Sequence, residues 1–206
     1  MTQSFHLPLV LDGNAIEALV VGGGQVAFRR SRALLEAGAV VRVVARDVIV
    51  PLHDLAANHT RLTIAMTSYV PSHIGDAQLV VAATDDGVVN AQVARDARAR
   101  HRLVNVADAP ELGNVVMPAV HRSEDLLIAV SAGGAPGVAV KLRDVLAARF
   151  DSRYGMAVRQ LAKMRRRLLD SGERERWQSA AKQLVTDDFC EAIESGTFSL
   201  RLAEWR

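Results

Sequence analysis

The chain has 206 residues, half of them apolar, 23% charged and only 4% aromatic, so it holds one generous domain or a domain with an appendage and is neither disordered nor repetitive. A formal charge of +2, from 25 Lys and Arg against 23 Asp and Glu, is too mild to demand a nucleic-acid partner, and the single Cys190 excludes an intrachain disulfide framework and any cysteine-clustered metal site. No window approaches eighteen continuous apolar residues and the opening MTQSFHLPLV has no cationic leader, so no membrane association and a reducing, cytoplasmic setting are expected.

In chain order, short β-branched runs alternate with longer helical patterns over the first hundred or so residues. Strands are expected at 7–11, 16–21, 39–45, 62–65, 78–83 and 103–106, with helices at 25–37, 50–58 and 87–100. Short connections and right-handed crossovers turn this order into an α/β fold, a doubly wound parallel sheet. After Asp108-Ala-Pro-Glu the pattern changes to two extended segments joined at Arg122-Ser-Glu-Asp, and from Gly137 onward nearly everything is helical, with a short tail. The expected division is a dinucleotide-binding domain over 1–112, a small strand-pair region over 113–150 that suggests a second layer or a subunit contact, and a helical carboxy-terminal domain over 151–206. Basic residues concentrate in the later part: between Lys141 and Arg176 there are eleven Lys and Arg against five acids. Such an excess suits an anionic small molecule, an acidic partner or a solvated helix face.

The sequence ALVVGGGQVAFRRSRALLEAG places Gly22-x-Gly24-x-x-Ala27 directly after an apolar strand and at the opening of a helix, a Rossmann-like arrangement. The first glycine permits the tight turn, the second lets a pyrophosphate approach the backbone, and a small third residue lets helix and strand pack closely. The N–H groups from Gly24 through Gln25 and Val26 would hold phosphate charge, with the helix dipole behind them. Without a ligand, the same residues make a glycine-rich turn.

After the second strand come Arg46 and Asp47. Asp47 in reach of the ribose hydroxyls favours NAD, whereas Arg46 would meet a 2′-phosphate or lie along the adenine; NAD is the expected cofactor, and solvated loop charges are the bland alternative. Strands four and five end in AATDDG and NVADAP, which brings Thr84, Asp85, Asn105 and Asp108 to the carboxyl edge where open α/β sheets bind ligands. Thr84 and Asp85 either face that ligand or cap the helix near Gly87, and Asp108 either sets a turn before Ala-Pro or accepts a proton beside a nicotinamide.

SAGGAPG, residues 131–137, is a second glycine-rich loop leading into a helix. Its N–H groups and the Ser131 hydroxyl suit substrate carboxylates, with Lys141 and Arg143 further along; a plain turn before an amphipathic helix accounts for the same residues. His121 stands alone, and the six histidines show no metal-ligand spacing, so no resident metal is expected. There is no GxSxG elbow, no GxxxxGK[ST] loop, no HExxH motif and no Tyr-xxx-Lys pair.

Taken together, LPLVLDG, VVGGGQVAFRR, LLEAGA, VVAATDD, VNVADAP and IAVSAGGAPGVAVKLRDVL, in this order and spacing, resemble the precorrin-2 dehydrogenases, the amino-terminal part of siroheme synthase. The resemblance covers residues 5–150 and continues more weakly through the helical tail. It implies NAD-dependent oxidation of precorrin-2 to sirohydrochlorin on the route to siroheme. Carried over residue by residue, it places the cofactor loop on Gly22, Gly24, Gln25 and Val26, the second cofactor contact on Arg46 and Asp47, and the strand-four contact on Thr84 and Asp85. The catalytic aspartate falls on Asp108 and a serine of the tetrapyrrole pocket on Ser131; Asn105, His121 and Lys141 complete the expected substrate contacts. It further implies an interlocked homodimer built from the segments after residue 113, and a chain without the methyltransferase half of the fused synthases. Some members also insert Fe2+ into sirohydrochlorin, work that Asp108 or His121 would assist by removing pyrrolic protons, and the residues leave that second activity open. The competing class is a non-catalytic dinucleotide-sensing module, which would bind NADH yet leave precorrin-2 unaltered.

Overall fold

A computed structural model of the protein describes residues 7–205. The chain forms two compact units, one ending at Met117 and the other running from Pro118.

The first unit is a five-stranded parallel sheet with strand order β3-β2-β1-β4-β5, built from β1 (Glu17–Val21), β2 (Val40–Ala45), β3 (Leu62–Met66), β4 (Leu79–Ala82) and β5 (Leu103–Val106). The helices α1 (Gln25–Glu36), α2 (Val50–Ala57) and α3 (Gly87–Ala99) make the crossovers. Because both faces are covered, the central strands read as continuous apolar runs rather than alternating ones. On one face Val20, Val41, Val43 and Val81 pack with Leu34 and Leu35 of α1 and Leu52 of α2. On the other, Leu19, Val80, Val104 and Val106 pack with Val93, Ala94 and Ala97 of α3 and with Ile74. The strand order reverses between β1 and β4, which opens the ligand crevice of a doubly wound sheet at their carboxyl ends.

Local sequence explains the elements. In α1 the buried residues Ala27, Ser31, Leu34 and Leu35 fall at helical spacing, and the helix stops where Gly38 takes φ +92 and its N–H donates to the Leu35 carbonyl at 2.8 Å. At the far side of the sheet, Asn114 lies along β5. Its Oδ1 accepts from Val104 N at 2.6 Å, its Nδ2 donates to the Arg102 carbonyl at 3.0 Å, and its own N–H donates to the Val104 carbonyl at 2.9 Å.

Two expectations are corrected. Residues 7–11 form no strand: the segment is irregular and Leu7, Leu9 and Val10 are largely exposed, so apolar composition alone does not make a strand where no sheet edge takes it up. The expected short tail is two further helices.

The second unit opens with the antiparallel pair β6 (Ala119–Ser123) and β7 (Leu126–Val130), joined at Glu124, which takes φ 51. There follow α4 (Pro136–Arg149), α5 (Ser152–Asp170), α6 (Arg174–Leu184), α7 (Phe189–Ser195) and α8 (Thr197–Ala203). The core of this unit draws Tyr154, Met164 and Leu168 from α5, Leu184 from α6, Ile193 from α7, and Phe198 and Leu202 from α8. The last two helices exist because each brings apolar residues to that core across a Gly196 turn at φ +82. Burial, reinforced by a 2.6 Å hydrogen bond to Glu194, pushes the Tyr154 phenol up to about 12. Among the described residues, no helix is long and apolar enough to cross a membrane.

Candidate functional site

The carboxyl edge of the parallel sheet gathers most of the residues singled out from the sequence. Gly22 ends β1 at φ +128, and a Cβ there would lie 2.3 Å from the Ala83 carbonyl oxygen, so this glycine is what lets β1 turn against β4 at the crevice. Gly24 is the cap residue of α1, extended and exposed, and a Cβ on it would meet nothing within 4 Å. No side chain caps the helix and no acidic residue stands in its first turn. The N–H groups at its start, Gln25 and Val26 included, therefore have no intrahelical acceptor, an arrangement that suits an anion.

These features fit a dinucleotide pyrophosphate: open space beside Gly24, unengaged donors and no competing carboxylate. Arg46 and Asp47 follow β2 directly and are exposed; neither side chain forms a hydrogen bond or ion pair among the described residues. They stand where the second strand of such a fold presents its ribose contacts.

A polar cluster occupies the ends of β4 and β5. Thr84 Oγ1 donates to Asn90 Oδ1 at 2.7 Å, Thr84 N donates to the same oxygen at 3.1 Å, and Asn90 Nδ2 donates to the Thr84 carbonyl at 3.1 Å. The same amide nitrogen donates to Asp108 Oδ1 at 3.0 Å. Asp108 is otherwise exposed, in the loop after β5. The cap of α3 is neither Thr84 nor Asp85 but Asp86, whose Oδ1 accepts from Val88 N at 2.8 Å and Val89 N at 3.2 Å. Asp85 is thus left exposed and uncommitted at the rim.

Asn105 is not on the rim surface. It is 4% exposed, its Nδ2 donates to the Val115 carbonyl at 3.1 Å, and its Oδ1 is buried without a partner.

In the second unit, His121 is on β6 and its Nε2 donates to the Phe150 carbonyl at 2.8 Å, closing the end of α4. Ser131 and Lys141 are exposed, with no side-chain partner among the described residues; Gly133 and Gly134 between them take φ +52 and +90. Arg143 is engaged, its Nε donating to Asp144 at 2.7 Å.

Sequence reasoning missed three residues of this arrangement. Gly23 was an unassigned position in the glycine pattern, yet a Cβ there would overlap the Asp47 carbonyl oxygen at 1.8 Å. Asp86, the cap of α3, directly follows the two residues that the sequence offers for that role. Asn90 carried a readable signal: it is the polar residue on the buried stripe of α3, in line with Val93, Ala94 and Ala97.

A family model described as "Putative NAD(P)-binding" matches residues 9–119, more than half of the chain and the whole of the β1–β5 sheet. The chain belongs to this NAD(P)-binding family. It is 36% identical over 195 residues to siroheme synthase 2 of Klebsiella pneumoniae subsp. pneumoniae, covering 89% of this chain and 42% of that protein. It is 44% identical over 151 residues to the siroheme synthase of Pseudomonas entomophila, covering 73% of this chain and 32% of that one. The chain therefore spans less than half the length of these relatives. A solved structure described as SirC, precorrin-2 dehydrogenase superposes with a TM-score of 0.73 over 97% of this chain and 100% of that one, at 24% identity, a likeness of fold.

Proposed function

We propose that the protein is an NAD-dependent precorrin-2 dehydrogenase, oxidising precorrin-2 to sirohydrochlorin in siroheme biosynthesis. The observation that carries the reading is the placement of the uncapped glycine loop and the Asp108 carboxylate along one carboxyl edge of one parallel sheet. The siroheme synthase relatives and the precorrin-2 dehydrogenase of like fold support the choice of substrate.

NAD+, when bound, supplies the acceptor for the hydride that leaves the macrocycle. The chain does the rest. The first-turn N–H groups at Gln25 and Val26 would hold the pyrophosphate, and Asp47 would hold the adenosine ribose through its hydroxyls, with Arg46 beside it. Thr84 and Asp85 would border the nicotinamide end, and Asp108 would take the proton released as the ring gains conjugation. One hydride and one proton leave precorrin-2, so the balance closes on sirohydrochlorin, NADH and H+. In the second unit, taken by itself, Ser131, the backbone of Gly133 and Gly134, and Lys141 are hydroxyl, N–H and ammonium donors of the kind that suits substrate carboxylates. Asn105 acts within the first unit by anchoring the Val115 backbone, and His121 within the second by anchoring the Phe150 backbone.

A homodimer belongs to the same reading. Val138, Val140, Leu142 and Val145 are exposed along α4, and β6 with β7 is a two-stranded pair, an element that needs further cover for stability. A second copy supplies that cover. The lone thiol Cys190 suits a reducing cytoplasm.

Anaerobic incubation of the purified protein with NAD+ and enzymatically made precorrin-2 tests the assignment: the visible spectrum shifts to that of sirohydrochlorin with one NADH formed per tetrapyrrole. Binding of NADH with precorrin-2 left unaltered identifies a dinucleotide sensor instead. The reading extends to Fe2+ as a second substrate only if the protein accelerates uptake of Fe2+ or Co2+ by sirohydrochlorin.

A further inference from the structure

The Asn90 side chain uses every hydrogen-bonding position it has. Oδ1 accepts from the Thr84 N–H and hydroxyl, and Nδ2 donates to the Thr84 carbonyl and to Asp108 Oδ1. An amide has two acceptor sites and two donors, and all four are engaged here at 2.7–3.1 Å. The Thr84 N–H can only donate, so it fixes which end of the amide is oxygen; a flipped amide would set an N–H against it. Asn90 is 1% exposed, and it sits on the first turn of α3, a helix held to the sheet by Val93, Ala94 and Ala97. The direction in which it presents its second N–H to Asp108 is therefore set by Thr84, just after β4, and by α3, although Asp108 itself stands in an exposed loop.

We propose that Asn90 is the positioning residue of the reaction: it clamps one oxygen of Asp108 and so leaves the other as the proton acceptor, aimed in a single direction. A loop carboxylate on its own samples several rotamers, and only a fraction of them would face a substrate bound at the rim. One donated N–H of fixed direction removes that freedom, and displacement of a reacting group by about 1 Å is enough to cost about 10²-fold in rate. The inference rests on the reading of Asp108 as the proton acceptor.

The test is a double-mutant cycle of N90A and D108A, read as kcat and KM for precorrin-2 oxidation together with NADH affinity by fluorescence. The expected result is a drop in kcat of about 10- to 100-fold for N90A, with NADH affinity held within about threefold. The double variant should be no slower than D108A alone, because a residue that acts only through Asp108 has nothing left to position. If N90A does not fold, N90S, whose short hydroxyl stays near Thr84 without reaching Asp108, carries the same cycle. A slow D108A with an N90A or N90S variant of normal kcat overturns the positioning role and leaves Asp108 in place. Losses that multiply in the double variant overturn it as well, since Asn90 would then act independently. Normal turnover in D108A overturns the Asp108 reading and this inference with it.

Discussion

Gly23 and Asp47 meet through their backbones. A Cβ on Gly23 would sit 1.8 Å from the Asp47 carbonyl oxygen, and the Gly23 carbonyl in turn accepts from Ile49 N at 3.0 Å. The loop that follows β2 is thus fastened to the loop that follows β1, which brings the cofactor's two expected contact segments into register. The neighbouring glycines separate cleanly into those needed by the fold and one open to a ligand. Gly23→Ala should destabilise the first unit by roughly 2 kcal/mol or more, seen as a lowered urea midpoint. Gly24→Ala, with open space around it and an ordinary negative φ, should leave the midpoint nearly unchanged while weakening NADH binding about tenfold or more. Unchanged NADH affinity in G24A would remove that glycine from the cofactor site.

Cofactor choice should turn on Asp47. In the proposed site its exposed carboxylate would accept from ribose hydroxyls and repel a 2′-phosphate, so Asp47→Asn is expected to shift the ratio of kcat/KM for NADP+ over NAD+ upward by about tenfold. Parallel assays with both nucleotides measure it. Adding Arg46→Ala to D47N should take back part of the gain, because Arg46 is the cation that would meet the phosphate.

Asp108→Ala should slow precorrin-2 oxidation by roughly 10² to 10⁴, the span of a lost general base, with NADH affinity unchanged. Rate and affinity must be measured on the same preparation, since Asn90 loses its fourth hydrogen bond in this variant and a small fall in stability will accompany the fall in rate.

In the second unit, Tyr154 predicts an alkaline weakness. Its phenol is buried against Glu194 and held up to about 12, whereas an unfolded tyrosine titrates near 10. The folded state therefore favours the protonated form. That contribution is complete below about pH 10 and is lost as the pH rises through about 12. Tyr154→Phe should show a lower urea midpoint at pH 8 but a shallower decline between pH 10 and 12. Equal alkaline declines in the two proteins would assign the effect to other groups.

The parallel sheet was legible because its central strands β1, β2 and β4 are buried on both faces and so appear as compact apolar, β-branched runs, and β5 matches its expected bounds at both ends. The glycine loop was legible because its spacing is itself geometry. What was not legible depended on neighbours distant in sequence. Residues 7–11 carry strand composition, but whether a strand forms depends on an edge being available, which no local pattern records. The two last helices are short, and each needs the α5 and α6 core before its apolar residues make a pattern. Asn90 is eighteen residues from Asp108, and only the crossover brings them together. His121 was read as one of the substrate contacts; the structure gives its Nε2 to Phe150, a pairing across 29 residues that only the fold of the second unit creates.

Asn114 has a consequence for how this protein keeps to itself. By filling the hydrogen-bonding positions of Val104 and Arg102 with its own amide and backbone, it occupies the flank of β5 much as a sixth strand would. That flank offers a stray peptide little to zip onto, so lateral growth of the sheet into fibres is blocked on that side. The opposite flank, β3, is only five residues long, and its last two positions, Ala65 and Met66, are exposed. If the protein aggregates on heating, β3 is where the first foreign strand will attach.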